Sequence, residues 1–458
     1  MRMMQEPEAE VEDLSHLPLP PGAEGLPLLG ETLAFLRAPG RFLDERRRRY
    51  GDVFRSHLFG SPTVILSGAE AGRWVFAGEN KYLHVRWNTG TRRVLGLQAI
   101  PQLIGEEHQA RRRLLAPHFT PAVVRDFVPR MQAIATRHLE RWAGRDEVTM
   151  LSAAGALVLE VALGLILGDT PVDTRRVGQL VERWGKGLFS AVPWDVPLTV
   201  HGRSMAARRE LLALLEPVVA AREHLAEQPR DILGSLLSVR DEAGRPLPRE
   251  AIFDETLVQL LAGFDTTVHS LANLVWLLAA HPEVMRRCRE EQRGAGVGES
   301  LTLEGLREMP YLHQTILEAL RQLPPVGALP RVTTRDVAYG GYRIPKGWVL
   351  MLSVIGTHQS KPWTEPERFD PERMSPGRAE HRAQPHALMP FGGGARVCLG
   401  QHFAMTEMAV VLALMLRGYR WELVPGQDLT VVPLPFPHPR GGVRVRFSRG
   451  ASCLETGD

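Results

Sequence analysis

Residues 251–281, AIFDETLVQLLAGFDTTVHSLANLVWLLAAH, limit what this chain can fold into more than any other stretch. They keep an almost unbroken helical pattern for about 31 residues, roughly 45 Å at 1.5 Å per residue, enough to cross a whole domain. Inside the run, Gly263 weakens the helix, and Asp265, Thr266 and Thr267 set polar groups among apolar ones. Two local readings fit. Either an N-cap divides two helices, or one helix opens locally where a threonine hydroxyl competes for a backbone carbonyl.

The surrounding pattern is helical from about residue 118 to residue 300, with few β-branched alternations. Strand-like runs flank it. VFRSHLFGSPTVILS, residues 53–67, predicts a hairpin around Gly60-Ser61-Pro62, and VAYGGYRIPKGWVLML, residues 337–352, predicts one that turns at Gly340-Gly341. RFLDERRRRY, residues 41–50, reads as a helix with a charged face, and AMTEMAVVLALMLRGY, after residue 400, as another. Residues 421–448 mix strands with proline-rich loops. Residues 17–31, LPLPPGAEGLPLLGE, are too rich in Pro and Gly for a helix and read as an extended lead-in. With no internal repeat and no clear linker, the pattern predicts a mainly α chain with a minor β region, folded as one unit: a lead-in over residues 1–31 and a single large domain over residues 32–458.

Charge and cysteine content narrow the function classes. The 55 basic and 52 acidic residues leave a net charge of +3, too balanced for nucleic acid as the main partner. The basic runs Arg46–Arg49 and Arg111–Arg113 lack interleaved aromatics and read as solvated helix faces. Cys288, Cys398 and Cys453 are odd in number and far apart, which suits a reducing cytoplasm better than a disulfide framework. The acidic start MRMMQEPEAEVED is unlike a signal peptide, and no membrane anchor is expected ahead of the lead-in. LSAAGALVLEVALGLILG, residues 151–168, is interrupted by Glu160 and predicts a buried helix instead of a membrane span.

The chemistry gathers around MPFGGGARVCLGQHFAM, residues 389–405. A cysteine on a loop entering a helix N-terminus has its thiolate favoured by exposed N–H groups, and a thiolate is a strong soft ligand for iron. Gly392, Gly393 and Gly394, with Gly400 beyond, would let backbone approach a flat cofactor. A buried structural cysteine beside a tight turn is the plainer alternative, and a phosphate loop is excluded because the Lys-Ser/Thr pair is missing.

FGGGARVCLG resembles the haem-binding loop of the cytochrome P-450 family, Phe-x-x-Gly-x-Arg-x-Cys-x-Gly, matched by Phe391, Gly394, Arg396, Cys398 and Gly400. The resemblance implies a haem b cofactor with Cys398 as its axial thiolate and metal ligand, Phe391 and Gly392 beside it, and Arg396 on a haem propionate. Three further stretches match in the family's order. Glu318 and Arg321 of EALR resemble its Glu-x-x-Arg pair, whose third member in WTEPERFDPERM is Arg373, with Arg368 as a decoy. AGFDTT resembles the family's acid–threonine motif, which implies that Asp265 and Thr266 sit over the iron and manage protons; the single opened helix is then the preferred reading. His108 and Arg112 resemble the pair that contacts a propionate, and Arg331 falls where another propionate-binding arginine is common.

The match covers essentially the whole chain and implies the P-450 fold, a single large haem-binding domain. It also implies a monooxygenase that hydroxylates a lipophilic terpenoid, retinoid or fatty-acid-like molecule with molecular oxygen and electrons from a separate ferredoxin and ferredoxin reductase. LPLLGETLAFL, FDPERM, MPYLHQTILEALRQLPPVG and PFGGGARVCLG look most like soluble bacterial, cyanobacterial-type relatives of retinoic-acid hydroxylases. The expected substrate walls are residues 84–90, 187–198, 326–329 and 433–439, with Arg86 as a partner for a substrate carboxylate. Arg111 and Arg113 are expected to help dock an acidic electron donor. Three alternatives are carried. Asp265-Thr266 argues against a peroxide-driven enzyme and against a non-catalytic haem sensor or carrier. A cysteine hydrolase using Cys398 lacks a local histidine arrangement.

Overall fold

The computed structural model describes residues 13–450 except 27–29, 189, 191, 241–243 and 295–299. Parts of the lead-in and of segment 187–198, and Cys453, lie outside the described residues. The run at 251–281 forms one helix, Arg249–Ala280, of 32 residues. Glu250 lies in its first turn, where the partial positive charge of the exposed N–H groups favours an acid. Its buried residues, among them Ile252, Leu257, Val258 and Leu260, are spread around the axis. A helix apolar all round is stable only inside a core, and here the rest of the molecule wraps it.

The apolar helix Met150–Leu167 lies against this long helix. It averages a hydropathy of 2.2 over 18 residues, and among the described residues it is the one helix long and apolar enough to cross a membrane. Instead, 72% of it is buried within the molecule. Burial of each Leu, Ile or Val contributes about 1.5–3 kcal/mol, so its residues already have their apolar surroundings. Glu160, which interrupts the run, turns outward to Arg137 and to His138 Nε2, the latter at 3.0 Å. Helices Pro121–Ala143, Pro310–Gln322 and Gln401–Gly418 share the same core.

The main sheet has five strands in the order Val53–Leu58, Ser61–Leu66, Val349–Ser353, Ala328–Thr333, Leu83–Val85. Its one parallel pairing, Thr63 opposite Val349, joins early and late parts of the chain. The first hairpin turns at Phe59-Gly60, where φ is 50° and 74°, and not at the expected Gly60-Ser61-Pro62. A two-residue turn of this hand needs two positive φ values, which proline cannot adopt. Pro62 therefore pairs with His57 inside the strand, one residue before the neighbouring strand begins to bond. The second hairpin turns at Gly340-Gly341 as expected, with φ of 60° and 81°.

Candidate functional site

A cavity of about 390 Å³ lies between the long helix and the loop at residues 389–400. Val85, Trp87, Ile100, Val326 and Leu329 supply apolar wall. The long helix supplies Ala262, Gly263, Thr266 and Thr267 on one side, and Phe391, Gly392, Arg396, Cys398 and Gly400 lie on the other.

Cys398 sits two residues before the N-cap of helix Gln401–Gly418. Its own N–H donates to the Phe391 carbonyl at 3.0 Å, which closes the loop. The thiol is accessible and opens onto the cavity, although protein packs densely around it. Burial pushes its pKa up; the Gly400 N–H and the Arg112 charge pull it down. A cation or a metal at the sulfur would tip that balance toward thiolate. Two of the neighbouring glycines also make room for an aromatic ring. A Cβ on Gly393 would come within 2.5 Å of the Phe76 ring, and one on Gly394 within 2.9 Å of Phe76 Cβ. Those two glycines admit a side chain from helix Ala69–Gly78; Gly393 also lines the cavity, as does Gly392 at a positive φ of 70°.

One edge of the cavity is cationic. Arg112 and His108, four apart on helix Gly105–Leu115, both reach it, and Arg112 Nη2 donates to the Val397 carbonyl at 2.7 Å. Burial, followed by the charges of Arg396 and Arg112, lowers the His108 pKa to about 4, so the ring is neutral. His108 Nδ1 is buried and has no partner among the described residues. Arg331 and Arg396 complete this edge, joined by a residue the sequence did not single out. Glu79 accepts from Arg331 Nε through Oε2 and from Arg396 Nε through Oε1, each at 2.5 Å.

On the long helix, the Thr266 hydroxyl donates to the Ala262 carbonyl at 2.6 Å, but the helix is continuous there and shows neither the expected local opening nor a division into two. Thr266 faces the cavity, but Asp265 does not line it. Ala262, Gly263, Thr266 and Thr267 span the face toward the cavity, and at about 100° per residue Asp265 falls outside it. The Asp265 carboxylate points toward helix Thr174–Gly185, where a Cβ on Gly185 would lie 2.4 Å from Oδ2. Burial, with a smaller contribution from Glu182, raises its pKa to about 8, so at neutral pH it holds a proton.

Beside the cysteine loop, Glu318 accepts from Arg321 at 2.7 and 2.9 Å and from Arg373 Nε at 3.0 Å. Arg373 is the third member, and Arg368 stays on the surface beside Glu365. Glu380 adds a second carboxylate to Arg373, at 3.0 Å.

Three expectations are corrected. Arg86 is exposed and lines no part of the cavity. Alternation along the extended chain turns Val85 and Trp87 inward and Arg86 outward. Arg111 is buried and bound to Glu255 at 2.8 Å, so only Arg113 of that pair faces solvent. Residues 433–439 and the described part of 187–198 do not line the cavity; Phe436 packs on His269 instead. Besides Glu79, the sequence reading missed Glu407, which faces the cavity from the helix after Cys398 and whose pKa burial raises to about 8. A lone acid within a nearly uncharged helical run was its only signal.

A thiol at the floor, apolar walls and a cationic edge with an orphaned imidazole nitrogen together fit an apolar macrocycle that carries carboxylates and a thiolate-bound iron. Comparison with known proteins agrees. The family described as Cytochrome P-450 matches residues 20–437. The chain is 37% identical to cytochrome P-450 120 of Synechocystis sp., covering 95% of this chain and 98% of that protein. It is 34% identical to cytochrome P-450 26C1 of Homo sapiens, over 94% of this chain and 89% of that one. It is also 34% identical to taxoid 7-beta-hydroxylase of Taxus cuspidata, over 92% and 88%. The solved structure of a cyanobacterial CYP120A1 with retinoic acid bound is similar at a TM-score of 0.91 and 36% identity, covering 95% of this chain and all of that one.

Proposed function

The chain belongs to the cytochrome P-450 family, and we propose from that premise which residues carry its activity and what class of molecule it oxidises. It is a haem-dependent oxidoreductase, a monooxygenase of lipophilic compounds, in a family that binds haem iron through a cysteine thiolate. Cys398 is that thiolate. The observation that carries this is its sulfur, open to an apolar cavity beneath the long helix, with the Gly400 N–H and Arg112 both favouring the ionised form. His108, Arg112, Arg331 and Arg396 hold the haem carboxylates, and Phe391, Gly392 and Gly400 shape the loop around the sulfur. Bound there, haem supplies the activation of molecular oxygen with two electrons delivered one at a time.

The chain's own residues position and protonate. The Thr266 hydroxyl donates its hydrogen bond to the Ala262 carbonyl, so its oxygen is left to accept from water or a ligand in the cavity. Asp265 holds a proton up to about pH 8 on the adjoining face and acts as the reservoir behind Thr266. The apolar walls exclude water from the reaction.

The substrate we propose is a retinoid or terpenoid, supported by the apolar lining and by the retinoic-acid-bound and taxoid-hydroxylating relatives. Electrons come from a separate ferredoxin and its reductase, and the enzyme works in the cytoplasm. Residues 32–458 act as one haem-carrying unit, with 1–31 as lead-in. The first test is the absorption spectrum of reduced protein under carbon monoxide. A thiolate-type band is expected, and Cys398→Ser should abolish it; a band unchanged by that substitution overturns the assignment. Titration with retinoids, terpenoids and fatty acids then reads the class from the shift of the haem band. A shift confined to fatty acids overturns the substrate reading.

A further inference from the structure

We propose that Glu79 is the positioning residue that aims Arg331 and Arg396 at the haem carboxylates and balances the charge around them. This rests on the haem reading above and extends it to a residue that touches no part of the reacting centre.

Glu79 follows helix Ala69–Gly78, and its side chain is 3% exposed. Each of its oxygens takes the Nε of one arginine. Backbone carbonyls take one terminal nitrogen of each guanidinium: Pro330 accepts from Arg331 Nη1 at 2.8 Å, and Leu103 from Arg396 Nη2 at 2.7 Å. Among the described residues Arg331 Nη2 and Arg396 Nη1 have no partner, and both side chains line the cavity. A guanidinium is planar, so fixing its Nε edge fixes where the remaining N–H groups point. Glu79 thus leaves one free terminal nitrogen per arginine for a ligand.

The charge count points the same way. Arg112, Arg331 and Arg396 line this edge, and His108 is neutral there. Three guanidiniums less the Glu79 carboxylate leave two positive charges, equal and opposite to the two carboxylates of haem b. Without Glu79 the edge carries an uncompensated positive charge in a poorly screened place, which favours the electron-richer ferrous state.

The test uses full-length haem-loaded protein and two readouts other than turnover: the ferric/ferrous midpoint potential and the rate of haem transfer to excess apomyoglobin. Glu79→Gln is expected to move the midpoint positive and speed haem transfer several-fold. Glu79→Asp, which keeps the charge on a shorter arm, is expected to speed transfer while leaving the midpoint near that of the wild type. A Glu79→Gln protein with both values unchanged overturns the proposal. So does a Glu79→Gln that loses haem without moving the midpoint, since a purely structural clamp behaves that way. If Glu79→Gln does not accumulate, Glu79→Asp decides: transfer as slow as wild type overturns the proposal. A wild-type protein without the thiolate-type band overturns the haem reading itself, which no Glu79 variant can do.

Discussion

The regions around Glu318 and Asp265 each bury a carboxylate and provide for it in opposite ways. Glu318 is fully buried and receives two guanidiniums and the Asp370 N–H. Asp265 is 7% exposed and forms no ion pair among the described residues; only Glu182 and Lys186 act on it from a distance. A carboxylate locked between arginines fixes geometry, and here it ties helix Pro310–Gln322 to the segment that leads toward the cysteine loop. A carboxylate buried alone keeps its proton, and a kept proton is a reagent. Burial alone therefore does not separate a scaffold acid from a chemical one; the partners do.

The largest break in this comparison is Glu318→Gln, which leaves two buried guanidiniums facing a neutral amide. A loss of about 3–5 kcal/mol is expected, read as a much lower urea midpoint and little haem-loaded protein. The reverse holds for Asp265→Asn. The folded-state pKa of Asp265 is raised, so the native state binds a proton that the unfolded state releases between pH 4 and pH 8. Wild-type stability should fall with rising pH through that window, by at most about 1.4 kcal/mol per unit from this group. The asparagine variant escapes that loss, so its urea midpoint relative to wild type should climb from pH 5 to pH 8. An unchanging difference would show that Asp265 does not stay protonated. Oxygen-dependent turnover of the same variant should drop about 100-fold while the thiolate-type band remains.

Gly185→Ala sharpens the contrast from the other side. Its new Cβ would meet Asp265 Oδ2 at 2.4 Å and force the carboxylate to move. The expected loss is about 1–3 kcal/mol, accompanied by slower turnover, and among the described residues no such close glycine contact is seen at Glu318. The smallest effect belongs to Arg368→Ala. That surface arginine pairs with Glu365 at 3.7 Å, and its removal should cost about 0.5 kcal/mol or less by thermal unfolding. A large loss would mean that the buried arginine had been assigned to the wrong position.

What the sequence could disclose follows from how far apart the cooperating residues lie. Cys398, Arg396 and Phe391 are readable because their spacing is short and the chemistry local. Arg373 was separable from Arg368 for the same reason. Thr266 announced its carbonyl partner through a polar break in an apolar run. Arg111 misled, because a run of three arginines looks like a solvated face until Glu255 is placed beside the middle of the fold. Arg86 was readable in principle, since its neighbours Val85 and Trp87 carry the apolar alternation. Glu79 was not readable, because its partners lie 252 and 317 residues downstream. The direction of Asp265 was equally hidden: an acid next to a threonine suggests a pair, and only helix geometry parts them.

The parallel pairing of Ser61–Leu66 with Val349–Ser353 also orders events on the ribosome. At about 5–20 residues per second, roughly a quarter of a minute to a minute passes before the first strand meets its neighbour. Glu79 waits longer still, since Arg396 emerges after that neighbour. A nascent chain stopped short of Val349 has Arg112 and Arg331 but neither the joined five-stranded sheet nor Arg396 and Cys398, so capture of the prosthetic group must wait until Cys398 has been made.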